Sequence, residues 1–540
     1  MSKKIIVVGA GIAGLTAAIY AQRSGFDVTL IEQHRIAGGM CTSWKRKGYH
    51  FEGGVHWQTG TSPKTEVYQI WKDTGALDET VPVYLRDPFH TIEWNGQLCE
   101  NTSQTTLSFP QRRESIRAER VNPVDSRFRG NDKSVFTQSD GQLIHLYRDI
   151  ERTAEHLREI SPADRPHIDA LVKDVKKVSK VQMPITDIKG VKAEHPRNMS
   201  LGSLLGMLPA LLPLYRLNKI SSREYLARFS HPGLRRLFSL VPDRYTATSL
   251  IFTLATFQIG DGGYPQGGSL AMVDRMVKTF TDLGGTLLLK TRVEKVLIEN
   301  GVARGVRLAQ DSGEVFADAV VVTQETIGAL NSLFDEPLQD EWLKEIRDTT
   351  KCAVCTFVCV GVREELPCDL LPEWKLSQPI VYAGRTVNEL GFFCYNTLSG
   401  YEGYAPEGGT ALTTAFFEDT YDYWKTSQEE GRYEADKKAL ADQVIHALCE
   451  KYPQLEGKIE VVDVATPLTY ERYTGAYRGS WMSIMEPGDR MKSFEGTVDS
   501  VKGLFFAGHR LIPPGGLPTA AASGRTAAQL VCRMFDAVFR

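Results

Sequence analysis

Residues 3–22 read KKIIVVGAGIAGLTAAIYAQ, and the spacing of three glycines inside this apolar run decides the fold. Two lysines ahead of apolar residues resemble a secretory leader, but the glycines explain the run better. Lys4–Val8 is a short β-branched stretch, Gly9, Gly11 and Gly14 fit G-x-G-x-x-G, and Ile12 to Gln22 has the composition of a helix. A second strand, DVTLIE, ends at Glu32 at the spacing expected for the acid of a dinucleotide-binding βαβ unit. Gly9 allows the tight turn, Gly11 lets backbone approach a pyrophosphate, and Gly14 brings helix and strand together. The helix start, with Ile12 and Ala13, offers free amides to the phosphate, and Glu32 can accept hydrogen bonds from a ribose. An adenine dinucleotide is the expected ligand.

The next residues, IEQHRIAGGMCTSWKRKGYHFEGGVHW at 31–57, place a second glycine pair, Gly38 and Gly39, just past the ribose acid. A nicotinamide domain would normally continue with further βα units. This stretch instead resembles the flavoprotein superfamily of amine oxidases, phytoene desaturases, carotenoid isomerases and retinol saturase. Gly48, Phe51, Glu52 and Gly54 match its G-x-x-F-[DE]-x-G strand pair. The resemblance implies an α/β fold with a Rossmann-type FAD-binding domain of the glutathione reductase and amine oxidase kind, and a discontinuous α+β substrate domain. It also implies that Gln33, Gly38, Gly39, Met40, Gly54 and Val55 line the cofactor, and that His56 lies beside the flavin as a candidate proton donor or substrate-orienting group.

Two further stretches carry the same resemblance. In GGYPQGGSLAMVDRM, Pro265 to Gly268 and the helix after them match the P-x-G-G unit that returns the chain to the cofactor domain; Tyr264 beside it is a second catalytic candidate, and Val293 in the next strand a cofactor contact. At residues 505–525, FFAGHRLIPPGGLPTAAASGR repeats the design of the opening: a strand delivers Gly508, a glycine turn follows, and a helix begins near Leu517 and Pro518. Relatives aim this helix at the pyrimidine end of the flavin. Gly515 and Gly516 would let backbone approach the ring, while His509 and Arg510 stand where many relatives have an acid, with Arg510 a possible charge for the pyrophosphate. With no cysteine in this stretch, FAD is expected to be held non-covalently. ATPLTYERYTGAYRGSW at 465–481 resembles the T-P-x-x-x-x-R-[YW]-T stretch of desaturase-like members.

The cofactor domain is therefore expected at 1–75, 263–329 and 479–540, and the substrate domain at 76–262 and 330–478. Residues 104–137, polar and arginine-rich, read as a disordered insertion between two hairpin strands without a catalytic role. The 63 basic and 66 acidic residues nearly cancel, which removes the electrostatic footprint of a nucleic-acid binder. Nine cysteines suit reduced thiols in a cytoplasm-like compartment. Cys352, Cys355 and Cys359 sit in a β-rich apolar run without the second ligand pair of a zinc site, so no metal is expected. LGSLLGMLPALLPLYRL at 201–217 is too short to span a bilayer; burial is the expectation, with peripheral membrane contact the alternative. The implied activity is FAD-dependent desaturation, saturation or isomerisation of a long apolar polyene or isoprenoid. The rivals are an isoprenoid-binding escort with the GDP-dissociation-inhibitor fold and an amine oxidase.

Overall fold

The computed structural model describes residues 2–54, 56–95, 141–181, 183–199, 201–310, 312–366, 371–395, 401, 403–417 and 419–540. Val55 and the expected insertion at 104–137 lie outside them. The hairpin expected around the insertion is present: His90–Trp94 pairs antiparallel with Gln142–Leu146, Ile92 opposite Ile144.

Lys4–Val8 is the central strand of a five-stranded parallel sheet. It pairs with Asp27–Ile31 on one side and Ala319–Val322 on the other, and the sheet is completed by Thr286–Leu288 and Leu504–Phe506. A parallel sheet is covered on both faces, so its strands read as near-continuous apolar runs. Here Ile5 and Val7 enter one cluster with Leu15, Ala18, Ala521 and Ala528, while Ile6 and Val8 enter another with Val296, Val306 and Phe506. The first cluster is built by the helices Ile12–Arg23, Gly268–Asp282 and Leu517–Met534. The first and last of these pack together closely: a β-carbon on Gly524 would fall 2.3 Å from the Ala13 carbonyl. The two glycine-rich ends of the chain thus become one structural unit.

A second sheet, antiparallel, has the order Phe393–Cys394, Thr410–Phe416, Thr356–Val362, Ile459–Ala465. Its alternation of side chains divides labour. Val358, Val360 and Leu412 pack beneath the helix Tyr433–Lys451, whereas Phe357, Cys359 and Ala415 face the opposite way, into the cluster that holds Tyr49, Leu250 and Tyr264. Cys352 lies in a separate two-residue strand paired with Met482–Ser483. Cys394 is disulfide-bonded, which corrects the expectation that every thiol is reduced.

The helix Leu201–Leu217 corrects a second expectation. It is regular across Pro209 and Pro213, but it is not buried: Leu205, Leu208, Leu211, Leu212 and Tyr215 are all more than half exposed, Leu212 by 75%. Among the described residues no helix is long and apolar enough to cross a membrane.

Candidate functional site

The sheet edge, the two glycine turns and the second sheet enclose one cavity of about 1310 Å3. That exceeds the roughly 300–1,000 Å3 of an ordinary small-molecule site. A cofactor and a substrate can share it. Gly9, Gly11, Ile12, Ala13, Glu32, Gln33, Gly38, Gly39, Met40, Gly54, Val293, Gly508, His509, Gly515, Gly516 and Leu517 all line its wall, as does His56. Residues separated by five hundred positions meet here because both helix starts open into the same space.

The glycines of the first motif differ in what surrounds them. A β-carbon on Gly14 would lie 1.9 Å from the Gly9 carbonyl oxygen, so this glycine sets the closeness of helix and strand and does not face the cavity. On Gly11 the nearest atoms would be 3.9 Å away, in Gly38 and Gly39. The space in front of Gly11 is open to a ligand. Thr323, at the end of the neighbouring strand, closes the turn by donating its hydroxyl to the carbonyls of Val8 and Gly9.

Glu32 is buried and accepts the Ala10 amide on one oxygen and the His34 amide on the other, each at 2.8 Å. Burial pushes its carboxyl above the usual range, and the two backbone bonds oppose that. Their geometry fixes the carboxylate at the cavity edge with lone pairs to spare. Gln33 is tied by its amide to the Tyr473 carbonyl at 3.2 Å, which draws the 470–477 segment over this end. Glu471 accepts from the Tyr421 hydroxyl at 2.9 Å and Arg472 stacks on Tyr473, so these two do not pair with each other.

At the other end, His509 has its Nε2 buried without a partner among the described residues, and burial together with the Arg510 charge lowers its pKa to about 3. It is a neutral imidazole. Arg510 does not reach toward a phosphate: it is 2% exposed, its Nε donates to Glu325 at 2.7 Å and its Nη1 to the Ser483 hydroxyl at 2.8 Å. Burial alone would raise the Glu325 carboxyl, but Arg510 and the amides of Tyr477 and Gly328 outweigh it and hold the group below the usual range. The expected role of Arg510 at the pyrophosphate is therefore replaced by a buried ion pair.

Glu52 is fully buried and accepts from the Ser269 hydroxyl at 2.6 Å and the Tyr404 hydroxyl at 3.0 Å. The acid thus sits at the first turn of the helix Gly268–Asp282, where the helix dipole favours it. It locks the strand pair to the P-x-G-G unit. Tyr264, by contrast, does not line the cavity. It is fully buried, opposite Tyr84 in a two-residue strand pair, with the Arg86 guanidinium 4.7 Å from its ring centre. Tyr264, expected as a catalytic candidate, is thus placed within the wall and not on the cavity.

Sequence reasoning missed several wall residues. Cys355, Phe357, Phe393, Tyr470 and Trp481 border the space beside His56, whose ring stacks on Phe393 at 4.3 Å between centroids. Alternation in KCAVCTFVCV could have flagged Phe357, but not which face of the strand meets a ligand. Asp261 was silent in the sequence too: buried, it accepts the amides of Gly60, Thr61 and Ser62 and so shapes the turn just past His56.

The group this fold implies is FAD, and the residues present fit it. The opening before Gly11, the paired helix starts, the fixed Glu32 carboxylate and the unpartnered His509 Nε2 together form a cradle for a dinucleotide.

Comparison with known proteins agrees. The chain is 23% identical over 551 residues to the phytoene desaturase (neurosporene-forming) of Cereibacter sphaeroides, covering 98% of this chain and 94% of that one. It is 22% identical to the all-trans-retinol 13,14-reductase of Danio rerio (88% and 76% covered) and 23% identical to the chloroplastic prolycopene isomerase of Daucus carota (96% and 78%). A putrescine oxidase A394C mutant shares its fold at a TM-score of 0.56, with 15% identity and 99% of both chains covered. A model of the NAD(P)-binding Rossmann-like domain matches residues 7–74. A model described as flavin containing amine oxidoreductase matches residues 212–532, more than half of the protein. With the cradle described above, this match establishes that the chain belongs to the flavin containing amine oxidoreductase family.

Proposed function

We propose that the protein is an FAD-dependent oxidoreductase acting on carbon–carbon double bonds of a long, neutral polyene or isoprenoid, by desaturation, saturation or isomerisation. One observation carries this reading: the distribution of charge in the cavity. The charged wall residues, Glu32, Arg292, Glu294, Glu325, Glu471, Arg472 and Arg510, come from segments around the dinucleotide cradle. Among the described residues, the stretches 181–256 and 355–417 contribute Met183, Leu214, Leu240, Val241, Phe252, Phe357, Phe393 and Phe417 among others to the wall, and no Asp, Glu, Lys or Arg. An ammonium substrate buried there would forfeit several kcal/mol of hydration without a counter-ion. A hydrocarbon chain loses nothing and gains about 25 cal/mol per Å2. The names of the desaturase, reductase and isomerase relatives point to the same class of substrate.

In this reading Gly9, Gly11, Ile12, Ala13 and Glu32 hold the adenosine diphosphate portion, and Gly38, Gly39, Met40, Gly54, Gly508, His509, Gly515, Gly516 and Leu517 hold the flavin portion. Val293 supports the adenosine end. Gly14 acts through packing. Bound flavin supplies hydride exchange at its ring. The protein's part is to orient an apolar chain, exclude water with aromatic walls, and present His56. The cofactor domain is assigned to 1–75, 263–329 and 479–540 because the parallel sheet draws its strands from these three segments.

Delivery of such a substrate is assigned to the helix Leu201–Leu217. Leu205, Leu208, Leu211 and Leu212 are exposed, while Leu214 and Tyr215 at its C-terminal end line the cavity, so a lipid surface seated on the helix would adjoin the cavity. Leu208→Ser with Leu212→Ser should abolish flotation with liposomes and leave flavin content unchanged; flotation that survives removes the membrane from the reading.

The test of the main reading is binding. Holoprotein should show a perturbed flavin absorption band with detergent-solubilised carotenoids or retinoids and none with primary amines. The reverse pattern overturns it.

A further inference from the structure

His56 has two ring nitrogens in different surroundings. Nδ1 lies 2.7 Å from the Tyr395 hydroxyl, and Nε2 is buried with no hydrogen-bond partner among the described residues. The Tyr395 hydroxyl makes no other hydrogen bond among the described residues. Beside it the Arg86 guanidinium, 5.3 Å from the Tyr395 ring centre, offers donors only. Among the described residues the phenolic proton therefore has one acceptor, Nδ1 of His56. If Nδ1 carried the imidazole proton and donated, the buried phenolic proton would be orphaned, a loss larger than a typical net hydrogen bond. We infer that Tyr395 donates to Nδ1 and fixes His56 as the tautomer with its proton on Nε2, so that His56 serves the cavity as a hydrogen-bond donor and not as a base.

The surroundings keep it so. The His56 ring stacks on Phe393 and Phe357 with Tyr395 beside it, and Arg86 is the charge that acts on it. Burial and the Arg86 charge both oppose a second positive charge on the imidazole, and burial keeps Tyr395 protonated. Tyr395 is thus a positioning residue: it sets which nitrogen carries the proton, and a flavin heteroatom that reaches Nε2 would find a donor there and not a base.

The tautomer rests on geometry, and its use rests on the proposed function, so two measurements separate them. In holoprotein labelled with 15N-histidine, with His56 assigned by its loss in His56→Gln, Nε2 should resonate as a protonated nitrogen and Nδ1 as an unprotonated one. Tyr395→Phe should abolish that pattern. A proton on Nδ1 in the unmodified protein, or an unchanged pattern in Tyr395→Phe, overturns the inference. For the role, His56→Ala should slow turnover by roughly tenfold or more, the value of a lost hydrogen bond of about 1.4 kcal/mol, and His56→Gln, which retains an N–H donor, should recover most of that loss. Equal losses in the two variants overturn the donor role while leaving the tautomer standing.

Discussion

Substituting Gly11 and Gly14 separately should have opposite consequences, although both belong to one motif and lie three residues apart. In Gly14→Ala the new β-carbon would sit 1.9 Å from the Gly9 carbonyl and 2.7 Å from the Thr323 hydroxyl. The first is backbone in the central strand's turn and cannot rotate away. The helix must move off the sheet, and its far side is pinned by Gly524 against Ala13. Overpacking of this kind costs typically 1–3 kcal/mol, and a backbone clash puts it near about 3 kcal/mol. Gly11→Ala meets nothing closer than 3.9 Å, and Gly11 has φ −73°, which alanine adopts freely. Its cost appears only when a phosphate must approach: displacing one or two charge-assisted bonds at about 1.5 kcal/mol each weakens FAD binding roughly tenfold to a hundredfold. The assay is paired, with thermal unfolding of flavin-free protein and fluorescence titration with FAD. Gly14→Ala should lower the apoprotein midpoint by several degrees, and Gly11→Ala should leave it in place while weakening affinity. An apoprotein midpoint that is unchanged in Gly14→Ala, or lowered in Gly11→Ala without loss of affinity, would refute the division of roles.

Other consequences follow from the buried charges. Arg510→Met leaves the Glu325 carboxylate without its partner and should destabilise the protein by about 3–5 kcal/mol in denaturant unfolding, whereas adding Glu325→Gln should recover much of the loss; a single variant within 1 kcal/mol of the parent would show that the pair is not the buried contact described. His56 and His509 have pKa values lowered from the ordinary 6.5 to about 3. The unfolded chain therefore binds the extra protons, so their contribution is complete above pH 6.5 and is lost as pH falls toward 3. At pH 5 that amounts to at most about 2 kcal/mol for each group. Unfolding midpoints measured from pH 7 to 4 should fall less steeply in a His56→Gln, His509→Gln protein, and identical slopes would contradict the burial of these rings.

The cofactor half of the molecule was legible because its chemistry forces local patterns. A phosphate at a helix start needs glycines at fixed spacing, and a parallel sheet needs unbroken apolar runs, so Lys4–Val8, Ile12–Arg23, Asp27–Ile31 and the helix start after Gly515 and Gly516 fell where expected. The substrate half was not, because any apolar residue satisfies a core. Leu205, Leu208, Leu211 and Leu212 looked like core and proved exposed, and Phe357, in a run that reads as a buried strand, lines the cavity. Ionic and hydrogen-bonded partners distant in sequence were equally invisible: nothing near Arg510 in the chain announces Glu325, and nothing near His56 announces Tyr395. Three-dimensional pairing supplied both.

The central claim is that one cavity joins a flavin to a neutral polyene. Anaerobic stopped-flow absorbance of FAD-loaded protein tests it directly: oxidised protein is mixed with partly saturated isoprenoid polyenes, chemically reduced protein with fully conjugated ones, and primary amines serve as the parallel series. The account predicts that the flavin band changes, or that isomerised product accumulates with reduced protein, for at least one polyene and for no amine. Flavin reduction by amines with silence toward every polyene would contradict it.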